Sequence, residues 1–211
     1  SAGRQLFIIL FGVLLGVCLL FLPAAFGFRL AGERSGANVD LLFITDLNPY
    51  SIIWGTLLAG ILLTVLLFSA SLPFLTLTYL LRGIDLPTIF FLVAFNFIIV
   101  IVSIQGALFL GCAPGKTVPL GFRFLVGLGA AFAGFGAAMA LAIGAIEEGI
   151  GSIMHTWGFW GVVLSIVGFI TIGMGLLYFL SVAMISPPSS NRFMGLRFYM
   201  LFGWLISGSI V

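Results

Sequence analysis

The chain reads G-E-R-S-G-A-N-V-D-L-L-F-I-T-D-L-N-P-Y-S-I-I-W-G over Gly32–Gly55, between two long apolar runs. Within this stretch, Val39, Leu42 and Phe43 follow the i, i+3, i+4 spacing of one helix face. We predict that Ala37–Leu47 forms a short helix lying along the membrane surface. An ordinary amphipathic linker between two membrane spans is the simpler interpretation of the same pattern.

The same stretch contains the start of a long helix at Asn48-Pro49. Asparagine is a preferred N-cap residue because its side-chain oxygen accepts a hydrogen bond from a backbone N–H. Proline suits the first helical position because it has no N–H to satisfy. The pattern therefore predicts a surface helix, a tight turn and a long helix that re-enters the bilayer.

The composition is that of a membrane protein. Hydrophobic residues make up 62% of the chain and charged residues 7%, whereas soluble domains have roughly 45–50% and 25%. Several apolar runs exceed the ~20 residues that cross a bilayer as a helix. We predict an all-α fold, a polytopic transmembrane helical bundle that forms one domain over residues 1–211. The expected spans are about 6–28, 49–81, 88–110, 118–146, 157–185 and 198–211, with a cytoplasmic coupling segment at 32–48.

Further features narrow the class of protein. The net charge of +2 gives no reason to expect a nucleic-acid partner. Cys18 lies within a span and Cys112 in a predicted loop, so we do not expect them to pair, and no metal-binding spacing occurs. The chain begins at Ser1 and ends inside an apolar run at Val211, which is compatible with a fragment of a longer protein.

Small residues recur at helical spacing in spans one and four. Rows of glycine and alanine let membrane helices approach closely, although such rows also occur on faces that look at lipid. We predict that the row in span four packs against protein. The candidate packing positions are Gly12 and Gly16 in span one, and Ala130, Gly134, Ala138 and Ala142 in span four.

Span three carries two strongly polar side chains, Asn96 and Gln105. They are nine residues apart, so at 3.6 residues per turn they lie on opposite faces of the helix. We expect each amide to hydrogen bond to a neighbouring helix. A polar pathway for a transported substrate is the alternative interpretation.

No set of residues in this sequence predicts catalysis. The sole histidine, His155, lies in a loop with Glu147 and Glu148, where we expect solvated side chains rather than a metal site. No acidic residue lies inside a predicted span, which argues against an ion channel or an intramembrane hydrolase. The sequence also lacks the phosphate-binding loop of nucleotide-binding proteins.

The basic residues are distributed unevenly over the loops. Six of the eight fall in alternate connections, namely Arg29, Arg34, Lys116, Arg123, Arg192 and Arg197. The opposite side has Arg4 and Arg82. By the positive-inside rule the larger set is cytoplasmic, so the N-terminus is outside and the stretch 32–48 is inside.

The sequence G-E-R-S-G-A-N-V-D-L-L-F-I-T-D-L-N-P-Y-S-I-I-W-G-T-L-L-A of Gly32–Ala59 resembles the signature of ABC-2 type transporter permeases. In that family a membrane helix ends in a charged run, a short helix follows, and a long helix then begins. Glu33-Arg34 correspond to the charged run and Asp40–Thr45 to the short helix. Gly55–Leu58 correspond to the start of the family's long helix, and the family's usual lysine is Thr56 here.

The resemblance covers about residues 20–115 and implies a membrane-spanning subunit of an ABC transporter, more often an exporter, in a bacterial inner membrane. It implies two protein partners. One is an ABC ATPase subunit on the cytoplasmic side, and the other is a second permease subunit in the lipid bilayer, which forms a homo- or heterodimer with this chain. The chain itself would bind no cofactor and catalyse no reaction, since ATP and magnesium would bind the ATPase. The residues implied at the ATPase interface are Glu33, Arg34, Asp40, Leu42, Phe43, Thr45 and Asp46.

A non-catalytic scaffold subunit of a larger membrane complex fits the same composition. The two hypotheses differ in the expected partner. A transporter subunit would co-purify with an ATPase, whereas a scaffold would co-purify with proteins that carry pigments or redox centres.

Overall fold

The structure is a computed structural model that describes residues 2–35, 48–81, 84–113, 119–150, 154–186 and 191–210. These residues form helices joined by turns, and no strand occurs among them. The predicted all-α fold is confirmed. The helices are α1 (Ala2–Gly16), α2 (Leu22–Ser35), α3 (Pro49–Leu80), α4 (Leu86–Cys112), α5 (Leu120–Glu148), α6 (Trp157–Ile185) and α7 (Met194–Ile210), with a π turn (Val17–Phe21) between α1 and α2.

Five stretches are long and apolar enough to cross a membrane, namely Gly3–Gly32, Pro49–Leu80, Leu86–Cys112, Gly121–Glu147 and Trp157–Ile185. Each lies where one of the first five spans is predicted. The expected sixth span, 198–211, falls in α7, which has 17 described residues and is not one of these five stretches. Five apolar helices of this length indicate an integral membrane protein.

The first span contains a π turn at Val17–Phe21, just before Pro23. Proline donates no hydrogen bond, and its ring clashes with the carbonyl four residues earlier, which here belongs to Leu19. In a π turn the bonded residues are five apart, so the helix holds one extra residue at this point. The π turn therefore accommodates the proline without ending the span.

Side-chain caps fix where α3 and α4 begin. The Asn48 side chain accepts a hydrogen bond from the Tyr50 N–H at 3.1 Å, and Pro49 occupies the first turn. The sequence predicts the start of the helix at the same place. Asp85 caps α4, because its carboxylate accepts hydrogen bonds from the Thr88 N–H at 3.4 Å and from the Thr88 hydroxyl at 2.8 Å.

The central helix of the bundle is α4, which contacts α2, α3, α5 and α6. Asn96 and Gln105 lie on opposite faces of this helix, yet their exposed fractions are only 1% and 0%. A helix that is buried on opposite faces must be surrounded by others. Phe97 shows one of these contacts, since its ring centroid lies 5.6 Å from that of Phe68 in α3.

The helices α1 and α2 run in one direction through the π turn, and from α2 onward successive helices alternate in direction. One end of the bundle holds the ends of α2, α4 and α6 and the starts of α3, α5 and α7, and we call it the basic end. The arginines near it are Arg29, Arg123, Arg192 and Arg197. At the opposite end, Arg4 of α1 and Glu147 of α5 form an ion pair at 3.5 Å, which joins the start of one helix to the end of another.

The two cysteines lie in helical segments. Cys18 is buried in the π turn, and Cys112 is the buried last residue of α4, although the sequence was interpreted as a loop at this position. The apolar run that forms α4 simply continues through Cys112. As expected, the two cysteines form no disulfide.

The outer faces of α5 and α6 are apolar and exposed. Trp157 and Phe169 of α6 have exposed fractions of 92% and 81%, and Phe122 of α5 has 58%. Large exposed apolar surfaces are unfavourable in water but suit contact with lipid. These two helices therefore form the periphery of the bundle.

Candidate functional site

The candidate interface residues lie at and beyond the end of α2. Glu33 and Arg34 belong to the last turn of that helix. The remaining five, and the coupling helix predicted for Ala37–Leu47, lie outside the described residues. These five are Asp40, Leu42, Phe43, Thr45 and Asp46.

A hollow of about 200 Å³ separates α2 from α3 near the basic end. The lining residues are Phe26, Arg29 and Leu30 of α2 and Gly55, Thr56 and Ala59 of α3. The stretch 36–47 joins the same two helices. The hollow therefore lies between the two helices to which this stretch is directly connected.

Thr56 stands in this hollow where the resembled family has a lysine. Its hydroxyl donates a hydrogen bond to the Ile52 carbonyl at 2.8 Å, within its own helix. The positive charge that lines the hollow comes instead from Arg29 of the neighbouring α2.

Among the described glycines, the closest approach to the backbone of another helix lies where α2 crosses α4. A Cβ atom at Gly111 would lie 2.8 Å from the Gly27 carbonyl oxygen, and one at Gly27 would lie 3.1 Å from the Ala107 carbonyl oxygen. Backbone therefore touches backbone at this crossing, as small residues permit in membranes. None of these residues is among the candidate packing positions, although Gly27-x-x-x-Ala31 and Ala107-x-x-x-Gly111 have the spacing that indicates such a contact.

The start of α3 is held by α6 and α7. The Tyr178 hydroxyl donates a hydrogen bond to the Tyr50 carbonyl at 3.3 Å, and the Tyr178 ring meets Trp54 edge-on with centroids 6.2 Å apart. A Cβ atom at Gly195 of α7 would lie 2.6 Å from the Tyr50 hydroxyl oxygen. Tyr50 therefore links three helices at the basic end.

The two amides proposed for a polar pathway are buried without the expected partners. The Asn96 amide nitrogen donates to the Leu92 carbonyl of its own helix at 2.9 Å, and its oxygen has no partner among the described residues. The same is true of both amide atoms of Gln105. The expected hydrogen bonds to neighbouring helices are therefore missing within the described part of the chain. Buried polar atoms of this kind are rare, and they mark α4 as a place where a ligand or water could bind.

The glycine pair in α1 faces large side chains of α5. A Cβ atom at Gly12 would lie 3.4 Å from Cε of Met139, and one at Gly16 would lie 3.9 Å from Cε2 of Phe135. These are ordinary van der Waals separations. The pair therefore accommodates neighbouring side chains rather than a second backbone.

The small-residue row in α5 divides into two halves. Ala138 and Ala142 are buried in the bundle. Ala130 is exposed, and a Cβ atom at Gly134 would meet nothing within 4 Å. Only the second half of the predicted protein-facing row packs against this chain, because α5 contacts α1 there.

In the acidic loop at the opposite end, the described side chains include one ion pair. Glu147 pairs with Arg4, and His155 is exposed. Over the described ranges, no three histidine, cysteine, aspartate or glutamate side chains lie close enough to hold a metal ion. An exposed ion pair such as Arg4–Glu147 contributes little to stability, on the order of 0–1 kcal/mol.

The chain matches no family model, no curated protein and no solved structure. The functional interpretation therefore depends on the chain's own residues at the basic end and in α4.

Proposed function

We propose that the chain is the membrane-spanning permease subunit of an ABC transporter, an exporter whose ATP and magnesium bind a separate ATPase subunit. The position of α2 and α3 carries the proposal. Both reach the basic end, where the stretch 36–47 joins them, and both pack on the central α4. A partner that pushed on this stretch would act on both helices at once.

Charge supports a cytoplasmic location for the basic end. The described arginines at this end are Arg29, Arg123, Arg192 and Arg197, whereas Arg4 is the described arginine at the opposite end. An ATPase approaching from the cytoplasm would meet Glu33 and the stretch that follows it. We propose a bacterial inner membrane as the location, on the basis of the resemblance.

Contacts within the bundle supply a route for coupling. In this mechanism the closing ATPase moves the stretch 36–47 and the attached ends of α2 and α3. The Gly27–Gly111 contact passes movement of α2 to α4, because the two backbones touch. The contacts of Tyr50 pass movement of α3 to α6 and α7. Rigid helices that rock between two packed arrangements give alternating access.

A second permease subunit, identical or related, completes the proposed transporter. The exposed apolar faces of α5 and α6 offer surface to that subunit and to the bilayer. Asn96 and Gln105 are the polar groups proposed for the substrate pathway, since each keeps an amide atom without a described partner.

The test of coupling uses Phe43→Ala and Asp40→Lys in the intact protein, with Phe74→Ala as the matched control. Loss of a buried aromatic anchor removes ~2 kcal/mol or more of interface energy, which corresponds to a roughly 30-fold loss of affinity. We expect both variants to lose the co-purifying ATPase or to uncouple its turnover from transport. Phe74 is exposed on α3, near the end of that helix remote from the stretch 36–47, so its replacement should change neither property.

If both variants keep ATPase binding and coupled turnover at wild-type levels, the stretch is only a linker. A scaffold role in a larger membrane complex is then favoured, and proteins with pigments or redox centres should co-purify instead.

Orientation is tested by single cysteines at the two ends of α6. Thr156 lies just before the start of α6 and Asn191 lies beyond its end, and both are exposed. The native cysteines are buried. We expect an impermeant thiol reagent added outside to label Thr156→Cys and to spare Asn191→Cys. The reverse result would overturn the cytoplasmic location of the basic end.

A further inference from the structure

A crevice of about 80 Å³ lies between α2, α4 and α5, on a different side of α2 from the hollow described above. Small residues line much of it, including Ala24 of α2, Ala107 of α4, and Gly127 and Ala131 of α5. Such residues are too small to fill the space between three helices. The crevice therefore stays open toward the surface of the bundle that faces the bilayer.

The lining of this crevice suits an apolar occupant. One buried water needs roughly 10–15 Å³ and two to four polar partners. The volume would hold several waters, but the lining side chains are apolar apart from Arg123. Water would therefore be poorly bound there, whereas an acyl chain would replace lipid contacts with protein contacts.

Arg123 gives one end of the crevice a positive charge. Its Nη1 donates a hydrogen bond to the Ala113 carbonyl at 2.6 Å, while its Nε is buried without a partner in the described ranges. No described carboxylate pairs with it. A buried charged donor that lacks a partner is unfavourable, and an anion would satisfy it. Arg123 also lies in the first turn of α5, where the aligned peptide dipoles favour negative charge.

We propose that the crevice binds an anionic phospholipid of the bilayer, with one acyl chain between the three helices and the phosphate on Arg123. The distances agree with this arrangement. Ala131 lies eight residues beyond Arg123, about 12 Å deeper along α5 at 1.5 Å per residue. Arg123 is near the end of a membrane span, where lipid headgroups lie. Phe28 and Phe124, with ring centroids 5.2 Å apart, both line the crevice and would flank the lipid acyl chain.

This lipid site goes beyond the proposed transport function and does not depend on it. No residue of the crevice belongs to the stretch 36–47, and lipid binding can be measured without an ATPase. A protein with another function would bind the same lipid, so failure of one proposal leaves the other intact.

The experiment measures lipid binding to the purified full chain by native mass spectrometry. The probes are dioleoyl phosphatidylglycerol, dioleoyl phosphatidylcholine with the same chains, and free oleate. Arg123→Gln removes the charge but keeps a donor for the Ala113 carbonyl, and Arg123→Lys keeps the charge. Ala24→Leu and Ala131→Leu fill the crevice from two different helices. The exposed neighbours Ala25→Leu and Ala130→Leu are the matched controls, and circular dichroism checks the fold of each variant.

We expect the wild-type protein to bind phosphatidylglycerol about tenfold more tightly than phosphatidylcholine, because the choline ammonium of phosphatidylcholine offsets the negative charge that its phosphate presents to Arg123. Arg123→Gln should abolish this preference and Arg123→Lys should keep most of it. Either folded filling variant should weaken both phospholipids, while the two controls match the wild type. Equal affinity of the wild type for the two phospholipids would overturn the proposal, as would unchanged binding in the folded filling variants. Tighter binding of oleate than of phosphatidylglycerol would overturn the phospholipid as the source of the anion.

Discussion

Two parts of this protein are rich in small residues, and their surroundings are opposite. At the crossing of α2 and α4, a Cβ atom at Gly111 would lie 2.8 Å from the carbonyl oxygen of Gly27. Along α5, a Cβ atom at Gly129 or Gly136 would meet nothing within 4 Å. Small residues therefore permit a close approach between helices, but they do not by themselves produce one.

The difference lies in the partner helix. At the crossing, Gly27 and Ala31 face Ala107 and Gly111, so each helix presents two small residues four positions apart. Where α5 meets α1, small residues of α1 receive large side chains of α5. A backbone contact requires matching small pairs on both helices, which is a stronger condition than one glycine-rich helix.

The largest effect should come from adding one methyl group at the crossing. Gly111→Ala would overlap the backbone of α2, and overpacking of this kind costs about 1–3 kcal/mol. Gly136→Ala is the matched control on α5. It should be neutral or stabilise the helix by up to ~1 kcal/mol, because alanine has the higher helix propensity. Unfolding in mixed detergent micelles, followed by circular dichroism, measures both. Equal stability of the two variants would show that the crossing is not a backbone contact.

A smaller loss is expected where α7 meets α6. A Cβ atom at Gly175 would overlap the ring of Tyr199, whose hydroxyl donates a hydrogen bond to the Ile172 carbonyl at 2.7 Å. Gly175→Ala would displace the ring and break that bond, at about 1 kcal/mol. In a Tyr199→Phe background the bond is already absent, so the same substitution should cost less. If the cost is unchanged in that background, the hydrogen bond is not what Gly175 protects.

The smallest effect is predicted at Gly12, one of the two candidate packing positions in the first span. A Cβ atom there would lie 3.4 Å from Cε and 3.6 Å from Sδ of Met139, an adaptable side chain. Gly12→Ala should change the free energy of unfolding by less than about 0.5 kcal/mol, since the gain in helix propensity offsets slight crowding. A loss comparable with that of Gly111→Ala would show that matching small pairs are not required.

Local chemistry made much of the fold predictable. The Asn48-Pro49 pair predicts the start of α3 because cap and proline act within one turn. Asn96 and Gln105 are predicted on opposite faces of one helix from their spacing alone. Their burial shows that this helix is central. The spacing of the two residues could not predict this, because the position of a helix in the bundle depends on the helices around it. Cys112 was misplaced because an apolar residue before a loop looks the same as the last residue of a helix.

The candidate site was less predictable. The interface that the resemblance implies for Glu33, Arg34 and the stretch that follows stays a prediction. The contact of Gly27 with Gly111 was not predicted, because it joins residues 84 positions apart in the sequence. The Arg123 crevice requires three helices to meet around small side chains. Such features depend on which helix faces pack against each other. The sequence of one helix predicts its own apolar or small-residue face but not the face of the helix that it contacts.

The π turn sets how α1 is rotated about the helix axis relative to α2, in addition to lengthening the first span. Deleting one residue from Val17–Phe21 would turn Gly12 and Gly16 by about 100° relative to Gly27, since each residue of a helix advances by that angle. One of the two glycine contacts would then point away from its partner. The span would still be long and apolar enough to enter a membrane. Its hydropathy would hardly change, so a hydropathy profile of the sequence would not detect the defect.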